Sequence, residues 1–130
     1  MSKPDDLFAS RRRELIIAAA SQCFSRTGFH GTSMADIIQE SGLSAGQIYR
    51  YYTAKQCIVI ASIRYVTEGW RKYLLAKLPA ETTTINIVDI NSSFWNGWQE
   101  EQRRLLIETY SEASRNNTVR DIVNSAEQQL

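Results

Sequence analysis

Residues 28–55 read GFHGTSMADIIQESGLSAGQIYRYYTAK, and this stretch decides the fold. Ser33 and Asp36 have capping-box-like spacing: the hydroxyl can accept from a first-turn N–H while the carboxylate faces the positive helix end. Met34, Ile37 and Ile38 then form the apolar stripe of a short helix that Gly42 ends. Leu43 is an apolar turn residue. Ser44 and Gln47 repeat the capping spacing and open another short helix, predicted to run to about Tyr52. Ala45, Ile48 and Tyr52 can face inward, leaving Gly46, Gln47, Tyr49, Arg50 and Tyr51 toward the outside or the flanks. Two short helices joined by a tight glycine-containing turn make a helix-turn-helix unit, here residues 33–52. In units of this kind that bind DNA, the first helix braces on phosphates and the second enters the major groove.

Working outward, Arg11 to Thr27 reads as a helix with Ile16, Ala19, Ala20, Cys23 and Phe24 on one face, stopped at Gly28. Downstream, Thr53 and Gln56 repeat the capping pattern. A helix from about Ala54 to Lys77 follows, with Ile58, Ala61, Ile63, Val66, Trp70, Tyr73 and Leu74 among its apolar positions. After a loop at 80–84, one helix carries Ile87, Ile90, Phe94 and Trp98, and a second runs from Glu100 to about Arg115. Asn116-Asn117 breaks it. Thr118 is placed to cap a last helix striped by Ile122, Val123, Ala126 and Leu130. No run shows convincing strand alternation, so the chain is expected to be all-α.

Composition supports a globular protein, with 43% apolar residues and a net charge of +1 that does not announce a nucleic-acid binder. Residues 1–55 hold seven basic against five acidic residues, and the cluster Arg11-Arg12-Arg13 says more than that difference. Cys23 and Cys57 sit in apolar helical patterns and read as small buried hydrophobes. No secretory signal and no run approaching the roughly 18 apolar residues of a membrane span is present, so a soluble cytoplasmic protein is expected. His30 stands alone without metal-spaced partners, and no P-loop, zinc motif or nucleophile elbow occurs. No catalytic residue, metal or cofactor is therefore assigned, and the carboxylates read as solvated helix faces.

Gly28-Phe29-His30-Gly31-Thr32-Ser33-Met34-Ala35-Asp36-Ile37-Ile38 resembles the opening of the tetracycline-repressor (TetR) helix-turn-helix, and Gly42 to Lys55 resembles its second half. With the first helix, the resemblance covers about the first 60 residues at fixed spacing. Ile38 and Tyr52 depart from it, standing where Ala and Phe are usual. More loosely, Leu105 to Asn116 resembles a helix of many members, with Ser111 and Asn117 in place of the frequent Ala and Pro. The resemblance implies a three-helix headpiece at 1–55 and the first helices of a C-terminal effector-binding and dimerisation domain at 56–130. Family members are generally longer, and their last two helices form the dimer interface, so the chain resembles a C-terminally truncated member.

On that resemblance Thr32 and Ser33 contact phosphate; simple capping is the other reading, and both can hold at a helix N-terminus. Gln47 is the best candidate to read a base, pairing bidentately with adenine, or it merely completes the Ser44 capping box. Ala45 and Gly46 allow close backbone approach, and Ala45 can touch a thymine methyl. Tyr49 and Tyr51 contact phosphates or bases, or pack. Arg50 contacts phosphate or guanine, or is a surface charge. Arg11, Arg12 and Arg13 clamp the backbone or enter the minor groove, against a solvated helix start. Lys55 in a first helical turn opposes the macrodipole, a conflict that a docked phosphate would remove. Trp70, Tyr73, Phe94, Trp95 and Trp98 line an effector pocket or are ordinary core. The partners implied are a double-stranded operator, a small-molecule effector and, in the full-length protein, a second copy. The competing expectation is a helical interaction or ligand-binding module with weak or lost DNA binding.

Overall fold

The computed structural model describes residues 4–77 and 100–128. Six helices run along them: α1 Pro4–Gly31, α2 Met34–Ser41, α3 Ala45–Tyr49, α4 Lys55–Lys77, α5 Glu100–Ala113 and α6 Asn117–Gln128. No strand occurs among the described residues. The helix expected to carry Ile87 to Trp98 lies outside them.

α1 begins at Pro4, seven residues before the expected Arg11. Proline is tolerated at a first helical position because its missing N–H has no intrahelical partner to lose. Leu7 and Phe8 are exposed there, so no buried stripe betrays this first part of the helix. With this early start Arg11–Arg13 stand two turns inside the helix and not at its positive end, where a cation opposes the macrodipole. The helix breaks at Gly28, with φ 80° and ψ 169°. That backbone region is essentially open to glycine alone.

α2 and α3 begin as their capping residues dictate. Asp36 N–H donates to Ser33 Oγ at 3.1 Å and Ser33 N–H donates to Asp36 Oδ2 at 2.9 Å. Gly42, at φ 72°, ends α2 with its N–H on the Ile38 carbonyl. Ser44 then caps α3, which stops at Tyr49, short of the expected Tyr52. Ala45, expected to face inward, is exposed; a helix of so few residues buries one position fully, Ile48. At the other end of the chain Asn116, not Thr118, caps α6: its Oδ1 accepts from Thr118 N–H at 3.0 Å and Val119 N–H at 3.3 Å.

A single buried cluster holds the helices together. It joins Ile16, Ala20 and Phe24 of α1 to Ile37, Leu43 and Ile48 of the turn region. Ile58, Ile63 and Val66 of α4, Leu105 and Leu106 of α5, and Val119, Ile122 and Val123 of α6 complete it. Phe24 and Phe29 meet edge to face at 4.9 Å. The cluster thus includes side chains from both sides of the expected boundary at 55/56. Burying a Leu- or Ile-sized side chain is worth about 1.5–3 kcal/mol, so this shared core fixes the direction in which α3 points. Ile122 and Val123 of the α6 stripe are part of that core. Cys57 corrects the other cysteine expectation: it is exposed, while Cys23 is buried. Its neighbours Ile58 and Val59 take the inner face of α4.

Candidate nucleic-acid interface

The exposed side of α3 is built from small and hydrogen-bonding residues over one buried anchor. Ile48 is fully buried, while Ala45, Gly46, Gln47, Tyr49 and Arg50 are exposed. A Cβ placed on Gly46 would meet nothing within 4 Å, so an incoming surface can approach the α3 backbone closely. Ser44 holds the start of this helix rigidly. Its Oγ accepts from Gln47 N–H at 3.2 Å, and its own N–H donates to Gln47 Oε1 at 2.9 Å. This short helix depends on that reciprocal cap, because isolated turns of helix are unstable.

Tyr51 and Tyr52 follow α3 and are half-buried. The Arg13 guanidinium lies 5.4 Å from the Tyr51 ring centroid, a cation–π distance that brings an α1 arginine to the end of α3. Burial raises the Tyr52 phenol above its ordinary range, opposed by the positive Arg13. The phenol is therefore neutral and an O–H donor at physiological pH. Arg12 is spent differently, over the Phe8 ring at 4.9 Å, and Arg11 is exposed.

Thr32, Ser33 and Lys55 occupy the junction between α1 and α2. Ser33 is exposed at the α2 N-terminus. Thr32 is 1% exposed, and its hydroxyl donates to the Gly28 carbonyl at 2.8 Å and pairs with the Thr27 hydroxyl at 2.7 Å. A phosphate at this helix end would meet the Thr32 backbone and the Ser33 side before the Thr32 hydroxyl. Lys55 Nζ donates to the carbonyls of Phe29 at 2.8 Å and Thr32 at 2.9 Å. The dipole conflict at the start of α4 is thus answered inside the protein by the Phe29 carbonyl in the last turn of α1 and the Thr32 carbonyl just beyond it. An ammonium carries three donors, so one remains for an anion.

Two carboxylates that local spacing did not single out complete this junction. Glu108 Oε1 accepts the Phe29 N–H at 2.9 Å, and Glu112 Oε2 lies 3.0 Å from His30 Nε2 and 3.2 Å from Arg115 Nε. Glu112 is only 5% exposed, so the reading of the carboxylates as solvated helix faces fails for it. His30, discounted as a lone histidine, is its partner. The available signal was an i,i+4 pair of glutamates on a helix whose Leu105, Leu106 and Thr109 are buried. A Cβ on Gly28 would sit 3.0 Å from Glu108 Oε1, so glycine serves both the backbone angle and the space for the carboxylate.

Of the expected effector-pocket residues, Trp70 and Tyr73 stack at 6.1 Å with 21° between their planes. Phe94, Trp95 and Trp98 lie outside the described residues. Among the described residues no cluster of His, Cys, Asp or Glu could hold a metal, and no helix is long and apolar enough to cross a membrane.

A capped two-helix unit with a glycine turn, an exposed second helix and flanking arginines is a helix-turn-helix unit. The model of the bacterial regulatory proteins of the tetR family matches residues 16–61, which take in the second part of α1, the turn unit and the start of α4. The HTH-type transcriptional regulator RutR of Escherichia coli (strain K12) is 33% identical over 61 residues, 47% of this chain and 29% of that protein. The HTH-type transcriptional regulator UidR of the same organism is 30% identical over 114 residues, 85% of this chain and 56% of that protein. The solved structure of Salmonella enterica GusR superposes with a TM-score of 0.67 at 26% identity, covering 97% of this chain and 62% of that one. These matches support a TetR-family regulator, with the family model confined to residues 16–61. The chain spans 29% to 62% of the length of these three relatives.

Proposed function

We propose that the chain works as an effector-responsive repressor that binds a palindromic double-stranded operator as a homodimer. The carrying observation is α3: a helix anchored by buried Ile48 and capped by Ser44, with Ala45, Gly46, Gln47, Tyr49 and Arg50 exposed. In this reading α3 enters the major groove, with Gln47 and Arg50 at base edges and Ala45 and Gly46 allowing close approach. Tyr49, Tyr51, Ser33, the Thr32 backbone, the free donor of Lys55 and Arg11–Arg13 meet the sugar-phosphate backbone. Residues 1–55 form the DNA-binding unit, and 56–130 belong to the effector-binding and dimerisation part. Trp70 and Tyr73, with Phe94, Trp95 and Trp98, contribute an aromatic wall for an apolar effector. The Glu108 and Glu112 contacts give α5 a direct hold on the junction that orients α2 and α3, so a shift of α5 on effector binding changes headpiece spacing. The protein acts in the cytoplasm, without enzymatic activity, cofactor or metal.

Selection from randomised duplexes, with a salt series and mass determination on the bound species, tests this. A dimer enriching a palindrome with half-sites about 34–36 Å apart, and affinity falling steeply with salt, is expected. Sequence-blind binding at every salt concentration would refute the operator reading.

A further inference from the structure

Gln47 is exposed, but half of its amide is already engaged. The oxygen Oε1 accepts from the Ser44 N–H at 2.9 Å and from the Ser44 hydroxyl at 3.2 Å. The amide cannot be turned end for end in this pocket, because a backbone N–H only donates and must meet an oxygen. The Ser44 hydroxyl accepts from Gln47 N–H, so its own hydrogen is directed at Oε1. Both acceptor sites of that oxygen are therefore occupied. The Nε2 amino group has no hydrogen-bond partner among the described residues.

We infer that Gln47 reads DNA with its Nε2 donors alone and selects guanine, in place of the bidentate adenine pairing that a free glutamine makes. Adenine recognition needs an acceptor for the N6 amino group beside the donor for N7. Here the acceptor is withheld by the capping box, and releasing it would strand the Ser44 N–H and hydroxyl that it satisfies at the start of a helix of five residues. Guanine presents two adjacent acceptors, N7 and O6, which suit two N–H donors on one nitrogen. Thymine and adenine offer one accessible acceptor each, and cytosine presents a donor that clashes with the amide. The expected order at the contacted position is guanine, then thymine and adenine, then cytosine. This inference rests on the proposal that α3 enters the major groove.

The test is duplex selection with the full chain in wild-type, Gln47→Glu and Gln47→Ala forms, with folding checked by circular dichroism. Glutamate keeps an acceptor for the Ser44 N–H and hydroxyl but replaces the amino group by oxygen. Wild type is expected to favour guanine over the other bases by about fivefold or more at one position per half-site. Gln47→Glu should move that position to cytosine, whose N4 amino group donates, and Gln47→Ala should erase the preference. The Ser44 amide proton should stay protected from exchange in free and DNA-bound protein. Adenine at the Gln47-dependent position, with Ser44 amide protection lost on binding, would overturn the inference and leave the major-groove reading standing. Folded variants whose base preferences match wild type everywhere would overturn base reading by Gln47 itself. Sequence-blind wild-type binding would overturn both the inference and the operator proposal.

Discussion

Replacing Glu108 with alanine removes the acceptor that α5 extends to the α1–α2 junction. The Phe29 N–H it receives belongs to a residue only 2% exposed, and the hydrogen bond is 2.9 Å long. Gly28 breaks the helix at that point, so the N–H has left the helical ladder. Hydrogen bonds to charged groups contribute about 1.5–3 kcal/mol net, and an orphaned buried donor costs a similar amount. Glu108 is itself half-buried, and the space vacated beside Gly28 lets water reach the N–H, which moves the expectation toward the lower end. Glu108→Ala should therefore lose about 1.5–2 kcal/mol. With a urea slope of about 2 kcal/mol per molar, the unfolding midpoint falls by roughly 0.7–1 M. Glu108→Gln keeps an acceptor oxygen without charge and should recover about half of the loss. Urea unfolding followed by circular dichroism at pH 7 measures both. An alanine variant that unfolds at the wild-type midpoint with unchanged slope would refute the reasoning, as would glutamine and alanine variants of equal stability.

Gly28→Ala should be costlier than an ordinary surface change. The φ 80°, ψ 169° backbone strains any Cβ by about 1–3 kcal/mol, and the Glu108 carboxylate occupies the space beside it; a thermal melt indistinguishable from wild type would contradict this. Lys55→Ala should lower stability in the absence of DNA by about 1–2 kcal/mol, since two carbonyls lose their donor, and weaken operator binding as well; an unchanged urea midpoint would show that the Lys55 contacts to α1 do not hold the junction. Hydrogen bonds from the Ser33 backbone and then its hydroxyl hold the Asp36 carboxyl below its ordinary range. A depressed folded-state pKa stabilises above the unfolded value, near 4, and that stabilisation disappears as pH falls through the folded value. The stability gap between wild type and Asp36→Asn should therefore be constant from pH 5 to 7 and close below about pH 4. A gap that widens on acidification, measured by urea unfolding across that range, would reverse the sign.

The legible part of this molecule is the part written in local spacing. Ser33 with Asp36, Gly42, and Ser44 with Gln47 lie within one helical turn of their partners, so residue type and distance along the chain suffice to place both caps and the turn. The inward stripes of α1 and α4 are legible for the same reason, through the helical period. What escaped reading depends on contacts across the fold. Glu108 and Glu112 meet Phe29 and His30 from 79 and 82 residues away, and nothing in the 28–31 segment announces a carboxylate partner. Lys55 carries a correct physical clue, a cation at a helix start, but two of its donors meet carbonyls that local spacing did not point to. Thr32 and Ser33 are adjacent hydroxyl residues in the link between α1 and α2 with opposite fates, one turned into the junction and one left at the surface as the α2 N-cap. The start of α1 was hidden for a different reason: exposed Leu7 and Phe8 follow no buried stripe.

The most direct test of α3 as the reading helix is the binding preference of the intact chain and of one variant, Arg50→Ala with Gln47→Ala, across a randomised duplex pool at two salt concentrations. The account predicts that wild type enriches a defined half-site. The variant should remain folded and bind DNA with similar salt dependence, but lose the preference at the positions those side chains reach. A variant that selects the same half-site as wild type would contradict the assignment of sequence reading to this face of α3.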